Sequence, residues 1–191
     1  MVGPSHPRTF HTEFVDIWSV GHGARPLEDF LETLRDADIK TLADVRLIPG
    51  SRRHPHFGAE SLDAALHQIG IAYLHLPELG GRREPRADSP HQALRVAAFR
   101  GYADHMSSEE FARGYERLTS LAPGSRTAVM CAETLWWRCH RRLIADRLTV
   151  DGWTVTHLFA PGKSEPHVLW DVARTAEGHL TYDAGTLPLP G

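Results

Sequence analysis

The sequence predicts an α/β fold, with a single domain built on a mostly parallel sheet that has helices on both faces. Short apolar runs typical of buried strands alternate along the chain with segments whose apolar residues recur at helical spacing. The chain has 191 residues and 41% hydrophobic content, enough for one domain with a substantial core. Regular alternation of strands and helices favours right-handed crossovers and parallel pairing.

The strands are predicted from apolar runs that stop at turn or charged residues. The first run ends at Gly21, and the second ends at Asp44-Val45-Arg46. The fourth ends at Cys131 and continues into a loop rich in tryptophan and arginine, followed by a helix. The predicted strands span residues 15–20, 39–45, 71–76, 127–131 and 153–159. Residues 167–173 are expected to form one more strand or a short helix.

The helices are predicted from apolar residues three and four positions apart. Ser107 followed by Glu110 resembles a capping box that begins the helix containing Phe111. Glycines at positions 70 and 152 are typical of helix C-termini. Residues 99–106 are expected to form a short helix, and 77–90 an irregular, breaker-rich segment. The core-facing positions are Leu27, Phe30, Leu31, Leu34, Leu62, Ala65, Leu66, Ile69, Phe111, Tyr115, Leu118, Leu121, Leu143, Ile144 and Leu148.

Composition sets limits on organisation and location. We expect a flexible arm over residues 1–13, one domain over 14–175, and an irregular tail over 176–191. Two cysteines and no disulfide framework suit a cytoplasmic protein. The sequence has no apolar run long enough to span a membrane and no signal peptide, and it indicates no obligate protein partner. The net charge of -3 gives no global signal for nucleic acid.

Three charged loops follow the second, third and fourth strands. Because ligands bind beyond the carboxyl ends of parallel strands, we expect these loops to converge on one edge of the sheet. The basic residues comprise 19 Arg and two Lys, and arginine suits bidentate contacts with phosphate. Pairing with local acids is the alternative, as for Arg82 and Arg83 beside Glu84. The phosphate-binding candidates are Arg46, Ser51, Arg52, Arg53, Arg82, Arg138 and Arg141, with His22 and His140 nearby.

Trp136 and Trp137 lie in a polar loop, where an exposed aromatic surface would accept a base taken out of its stack. The alternative is that at least one of them fills the core. His22, between two glycines, would contact a base edge or a phosphate, or else bond to its own turn.

Cys131 suggests a rival chemistry, that of rhodanese-like sulfur-transfer or cysteine phosphoryl-transfer enzymes. Six residues separate it from Arg138, more than the tight anion-binding loops of those enzymes contain. A nearby glutamate would raise the pKa of the thiol, which opposes thiolate formation. Cys131 is therefore expected to be a small buried residue that supports the site. The spacing of Cys131, Cys139 and His140 is not of the zinc type, and we expect neither a metal nor another cofactor.

Together these segments resemble domain-of-unknown-function family 488, from about residue 17 to residue 157. The matching motifs are Gly21-His22, Asp44-Val45-Arg46, Pro49-Gly50-Ser51-Arg52, Leu79-Gly80-Gly81, Tyr102, Met130-Cys131-Ala132-Glu133 and Cys139-His140-Arg141. Family members often carry Ser where this chain has Gly23. The resemblance implies a DNA-repair glycosylase that excises an oxidised pyrimidine, such as 5-hydroxycytosine, from DNA.

Hydrolysis of an N-glycosidic bond builds positive charge on the sugar, which a carboxylate stabilises, or a carboxylate activates the water. Asp44 and Glu133 are the two acids at predicted strand ends in the charged region, and either is a candidate for that role. If the second and fourth strands flank the first, both acids face one pocket. The alternative is that Asp44 pairs with Arg46, and Glu133 with Arg138 or Arg141. A third possibility is a non-catalytic protein that binds nucleic acid or a phosphorylated ligand.

Overall fold

A computed structural model describes residues 15–50, 53–176 and 178–183. Six strands form one sheet in the order β3-β2-β4-β1-β5-β6, and two more form a separate hairpin. The strands are β1 (Asp16–Gly21), β2 (Thr41–Asp44), β3 (Ala72–His75), β4 (Thr127–Cys131), β5 (Thr154–Ala160), β6 (Lys163–Pro166), β7 (Ala173–Ala176) and β8 (His179–Tyr182). The helices are α1 (Leu27–Asp36), α2 (Ala59–Gln68), α3 (Ala97–His105), α4 (Glu109–Leu121) and α5 (Arg141–Val150).

The predicted α/β class with a mostly parallel sheet is confirmed. Strands β1 to β5 pair in parallel, and only β6 is antiparallel, on β5. The strand order corrects one expectation, because β4 lies between β2 and β1. Strand β2 therefore does not flank β1, since the long crossover after β3 inserts β4 between them. All five positions of β4 are buried, as expected for a central strand.

Helices cover both faces of the sheet, as predicted. Helices α1 and α2 bury their apolar stripes against one face, where Phe30, Leu34 and Leu62 pack on Val20 and Met130. Helices α3, α4 and α5 bury theirs against the other face, as Tyr102, Phe111 and Leu143 pack with Ile17 and Val129. Side chains of a strand alternate between faces, so each strand supplies both cores. No helix in the described part of the chain has the length and apolarity to cross a bilayer.

Three local predictions are corrected. The cap of α4 is Ser108, whose hydroxyl accepts a hydrogen bond from Phe111 N at 3.1 Å, and not Ser107. Residues 167–173 form neither the predicted strand nor a helix, apart from Ala173 at the start of β7. The predicted irregular tail from 176 contains β8, because Tyr182 is anchored in the core and hydrogen-bonds Asp146. The predicted N-terminal arm and the end of the tail lie outside the described residues.

The loops after β1, β2, β3 and β4 meet at the carboxyl edge of the sheet, as predicted. His22 N and Gly23 N donate to the carbonyls of Cys131 and Ala132 at 3.1 and 3.0 Å, which joins the first and fourth loops. His140 Nε2 donates to Val45 O at 3.1 Å, which joins the fourth and second. A methyl group on Gly21 would collide with the carbonyl oxygen of Glu133, so glycine is required for this approach.

Candidate functional site

Asp44, at the end of β2, is buried and fully bonded. Its side chain is 0% exposed, and Arg46 Nε donates to Oδ1 at 2.8 Å while Tyr73 OH donates to Oδ2 at 2.7 Å. Arg46 also donates to Phe57 O at 2.8 Å, which fixes the loop after β2. This is the ion pair that the sequence offered as the alternative role of Asp44. In this conformation the carboxylate does not reach a substrate.

His22 belongs to the same buried layer. Its Nδ1–H donates to Gly23 O at 2.8 Å, and Nε2 accepts from Arg46 Nη1 at 3.3 Å. The ring stacks on Phe57 with centroids 4.1 Å apart. Burial is the main cause that lowers the pKa of His22 to about 4. His22 is therefore a neutral, buried ring that bonds to its own turn, which is the alternative to a contact with a base or phosphate. Both ring nitrogens have partners inside the protein.

A second buried layer lies under the loop after β4. Cys131 Sγ and Cys139 Sγ are 2.8 Å apart, and Arg141 Nε donates to Cys131 Sγ at 3.1 Å. Arg141 is 2% exposed, and its other nitrogens donate to Ser19 Oγ at 3.0 Å and to the carbonyl of Glu133. The arginine that contacts Cys131 is thus Arg141 and not Arg138. Arg141 ties β1, β4 and the following loop together at one point.

Glu133 is the one of the two predicted acids that faces solvent. Two hydrogen bonds to buried groups fix its backbone: its N–H donates to Cys131 Sγ at 3.3 Å, and its carbonyl accepts from Arg141. Its side chain is exposed and has no hydrogen-bond or ion-pair partner among the described residues. The expected alternative, an ion pair with Arg138 or Arg141, is therefore absent from the described part of the chain. Asp44 and Glu133 lie at the same edge but at different depths.

The two tryptophans have different environments. Trp136 is half-buried, stacks on His157 with centroids 4.1 Å apart and donates from Nε1 to Glu165 at 2.5 Å, so its ring is held by internal partners. Trp137 is 39% exposed and lies 6.4 Å from Phe159, at the end of β5. An exposed indole at the loop edge leaves an aromatic face open to solvent.

A hydrogen-bond network of polar groups lies next to Trp136, and the sequence did not predict it. His157 Nε2 lies 3.0 Å from His167 Nδ1, and His167 Nε2 lies 2.8 Å from Asp146 Oδ1. Asp146 also accepts from Trp170 N at 3.0 Å and from Tyr182 OH at 2.9 Å. This network fastens the segment after β6 to α5. No spacing signal links these residues, because they come from separate elements of the chain.

The candidate arginines divide by exposure. Arg46 and Arg141 are buried, so the structure gives them internal partners in place of the phosphates we expected. Arg82 and Arg138 are exposed and pair with no acid in the described ranges. Arg53 is exposed as well. The candidates Ser51 and Arg52 lie outside the described residues, and Arg83 pairs with Glu110 at 2.9 Å and not with Glu84 as expected.

His140 is turned inward, against the expectation that it contacts a phosphate. Its Nε2 donates to Val45 O, and its ring lies against Tyr102 with centroids 5.0 Å apart. A side chain on Gly81 would press on Nδ1 of this ring. Burial lowers the pKa of His140, which favours the neutral ring. His140 thus joins the loops after β2, β3 and β4.

The ligand atoms of Cys131, Cys139 and His140 lie within 4.8 Å of one another, a clustering that the sequence spacing did not predict. These are donors that suit zinc. However, the guanidinium of Arg141 already donates to Cys131 Sγ, and the backbone N of Arg141 donates to Cys139 Sγ at 3.3 Å. A fixed positive charge beside the sulfurs opposes a cation, so we assign no metal site here.

Cavities lie away from Asp44 and Glu133. A buried void of about 10 Å³, close to the size of one water, lies beside Ser19 and Arg141. An open depression of about 400 Å³ lies between β3 and α4, lined by residues that include Leu74, Glu116 and Arg117. Neither of these two is lined by the exposed residues of the carboxyl edge. We define the platform as the exposed residues of the carboxyl-edge loops, which are Leu47, Ile48, Arg82, Glu133, Trp137 and Arg138.

Comparison with known proteins places the chain by family. The family model described as "Domain of unknown function DUF488" matches residues 26–148, which is more than half of the chain. The match includes Asp44, Arg46, Cys131, Cys139 and Arg141 of the buried layers and the whole platform, while Ser19 and His22 lie before it. No curated protein and no solved structure matches the sequence. The chain therefore belongs to the DUF488 family, as the motifs at its strand ends predicted.

Proposed function

We propose that this protein is a DNA-repair glycosylase that hydrolyses the N-glycosidic bond of an oxidised pyrimidine, with Glu133 as the catalytic carboxylate. The proposal rests on two features of Glu133, its fixed backbone and its exposed carboxylate. Its backbone is bound by Cys131 and Arg141, while its exposed carboxylate has no cation partner among the residues that the structure describes. A carboxylate held in this way is available to activate water or to stabilise a cationic sugar.

The neighbours of Glu133 suit a nucleic-acid strand. Arg82 and Arg138 pair with no acid in the described part of the chain, so their guanidinium groups are offered to phosphates, which give affinity without reading sequence. The exposed face of Trp137 suits stacking with an unstacked base. Ile48 is 74% exposed on the loop after β2, and apolar side chains of this kind act as wedges between base steps. These features favour DNA over a small metabolite, which would need an enclosed pocket.

The rival reaction, transfer of sulfur or a phosphoryl group through Cys131, has less support. Cys131 is 3% exposed. Its pKa is raised well above the usual value, because the thiol is buried and donates its hydrogen to Cys139. A nucleophilic cysteine needs the opposite, an accessible thiolate. Full base-excision activity in Cys131→Ser would exclude this rival as the source of that activity.

The proposal is tested with a panel of oligonucleotides that each carry one oxidised pyrimidine, in single- and double-stranded form. We expect the protein to leave an abasic site at one or more of these lesions, which alkaline treatment converts into a strand break. The undamaged oligonucleotide serves as the control. Absence of abasic sites across the panel would contradict the enzymatic proposal. Salt-sensitive binding without turnover would instead assign the protein to non-catalytic nucleic-acid binders.

A further inference from the structure

We propose that Cys131 and Cys139 form a reversible disulfide when the protein meets a peroxide, and that this bond is a modification site beneath the platform. The inference is independent of the proposed glycosylase activity, because it concerns only the two sulfurs and their neighbours. Cys131 ends β4, and Cys139 follows the 3-10 turn at Trp136–Arg138. The two cysteines are thus brought together by a turn between a strand and a helix.

The two sulfurs are placed for bond formation. Their separation of 2.8 Å is shorter than a van der Waals contact between sulfur atoms, and a disulfide needs about 2.05 Å. Both residues sit on well-fixed backbone, since Cys131 is paired to Gly21 across the sheet and Cys139 directly precedes His140, the N-terminal residue of α5. Only a small movement along the line joining the sulfurs separates the thiol pair from the bond.

The surroundings of the pair favour one thiolate. Hydrogen bonds reach the sulfurs from Glu133 N at 3.3 Å, Arg141 Nε at 3.1 Å and Arg141 N at 3.3 Å. Burial acts to raise the pKa of Cys139, but the hydrogen bond from Cys131 and the charge of Arg141 outweigh it and lower that pKa to about 6. The pair therefore holds one proton near neutral pH, which gives a thiolate beside a thiol.

The chemistry balances with hydrogen peroxide as the oxidant. The Cys139 thiolate attacks one peroxide oxygen, the O–O bond breaks, and the departing hydroxide takes a proton to become water. The sulfenic acid formed on Cys139 is then attacked by the Cys131 sulfur. The S–S bond forms as the hydroxyl leaves, and it takes the Cys131 proton to become a second water. Two thiols are oxidised by two electrons, and one peroxide is reduced to two waters.

Arg141 makes the bond reversible. Oxidation removes the negative charge that faces the buried guanidinium, while Ser19 and the Glu133 carbonyl remain as neutral acceptors. An uncompensated buried charge destabilises the oxidised form relative to the reduced one. A disulfide with this penalty is readily reduced by small thiols. The same change moves Cys131 Sγ, which accepts the hydrogen bond from Glu133 N, so oxidation acts on the platform through the Glu133 backbone.

The test uses the full-length reduced protein, treated with hydrogen peroxide, denatured, alkylated and digested with trypsin. Cleavage after Arg126, Arg138 and Arg141 places Cys131 in peptide 127–138 and Cys139 in peptide 139–141. We expect these two peptides to be recovered as one linked species, with both alkylatable thiols lost together and both restored by dithiothreitol. In Cys131→Ser, Cys139 should stop at a sulfenic acid that dimedone traps, with no linked species.

The disulfide must also form in the folded protein and not only in the unfolded chain. We expect the linked species to form without urea and at urea concentrations below the unfolding transition. Linkage only above that transition would overturn the proposal, because it would place the reaction in the unfolded chain. Two further results would overturn it as well: retention of both thiols, or conversion of Cys139 to sulfinic acid while Cys131 stays alkylatable.

Discussion

Replacing Glu133 by glutamine should lower the single-turnover rate of base excision by about 100-fold or more, in line with the loss of a positioned general base. The amide has nearly the same shape but neither accepts a proton nor carries the charge that stabilises a cationic sugar. Because the side chain is exposed and forms no hydrogen bond or ion pair with other described residues, the variant should keep its stability and its affinity for DNA. The measurement is excision at saturating protein, with affinity determined separately.

The matched control is Glu32→Gln on the exposed surface of α1, which removes the same charge from a different element. That variant should excise at the unmodified rate. Retention of the full rate by Glu133→Gln would remove Glu133 from the chemistry. A loss of rate that tracks a loss of DNA affinity would instead assign Glu133 to substrate binding.

Replacing Asp44 by asparagine should destabilise the fold by about 3–5 kcal/mol, the cost of breaking a buried ion pair from one side. Arg46 is 8% exposed and would keep its charge without the carboxylate that compensates it. Tyr73 would also lose its charged acceptor. The measurement is urea unfolding followed by circular dichroism, with the midpoint and the slope both recorded. Any loss of excision in this variant should follow the folded fraction.

The control for Asp44 is Asp38→Asn, since Asp38 forms an exposed pair with Lys40. Its φ of 53° is a conformation that asparagine also tolerates, so the unfolding midpoint should hardly move. A second comparison uses Asp44→Leu alone and together with Arg46→Met. The double variant should be more stable than the single one, because it removes the uncompensated charge. Equal midpoints for unmodified protein and Asp44→Asn would contradict the structural role.

The sequence was most informative about local structure and about the edge at which the loops meet. Strand β4 spans residues 127–131, as predicted from its apolar run. All positions of this central strand are buried, so the apolar run and the strand have the same bounds. Convergence of the loops followed from parallel pairing alone, without knowledge of strand order. The order itself was not predictable, since no local signal records that β4 inserts between β2 and β1.

The roles of the two acids also required the structure. Asp44 and Glu133 both follow buried strands, but Asp44 is the last residue of its strand while Glu133 lies two residues past Cys131. Arg46, two residues after Asp44, folds back onto it, whereas Arg141 reaches past Glu133 to the sulfurs. Sequence spacing shows which charges are near one another along the chain. It does not show which of them turn inward.

The buried polar layers explain why the motifs at the strand ends occur together. Gly21 lets the Glu133 carbonyl approach β1, and His140 joins Val45 to the neighbourhood of Gly81. Each motif supplies one contact of a network that no single motif forms. Asp44, a catalytic candidate in the sequence, and Arg141, a phosphate-binding candidate, instead support the platform from inside the protein.

Hydrogen–deuterium exchange with and without a bound oligonucleotide carrying an oxidised pyrimidine tests the central claim most directly. The claim is that the loops after β2, β3 and β4 form one DNA-binding platform around Glu133. It predicts slower exchange on DNA binding in residues 45–50, 77–96 and 132–140 together, with the α4 surface around Glu116 and Arg117 unchanged. Protection confined to that α4 surface, or unchanged exchange in all three segments at saturating DNA, would contradict it.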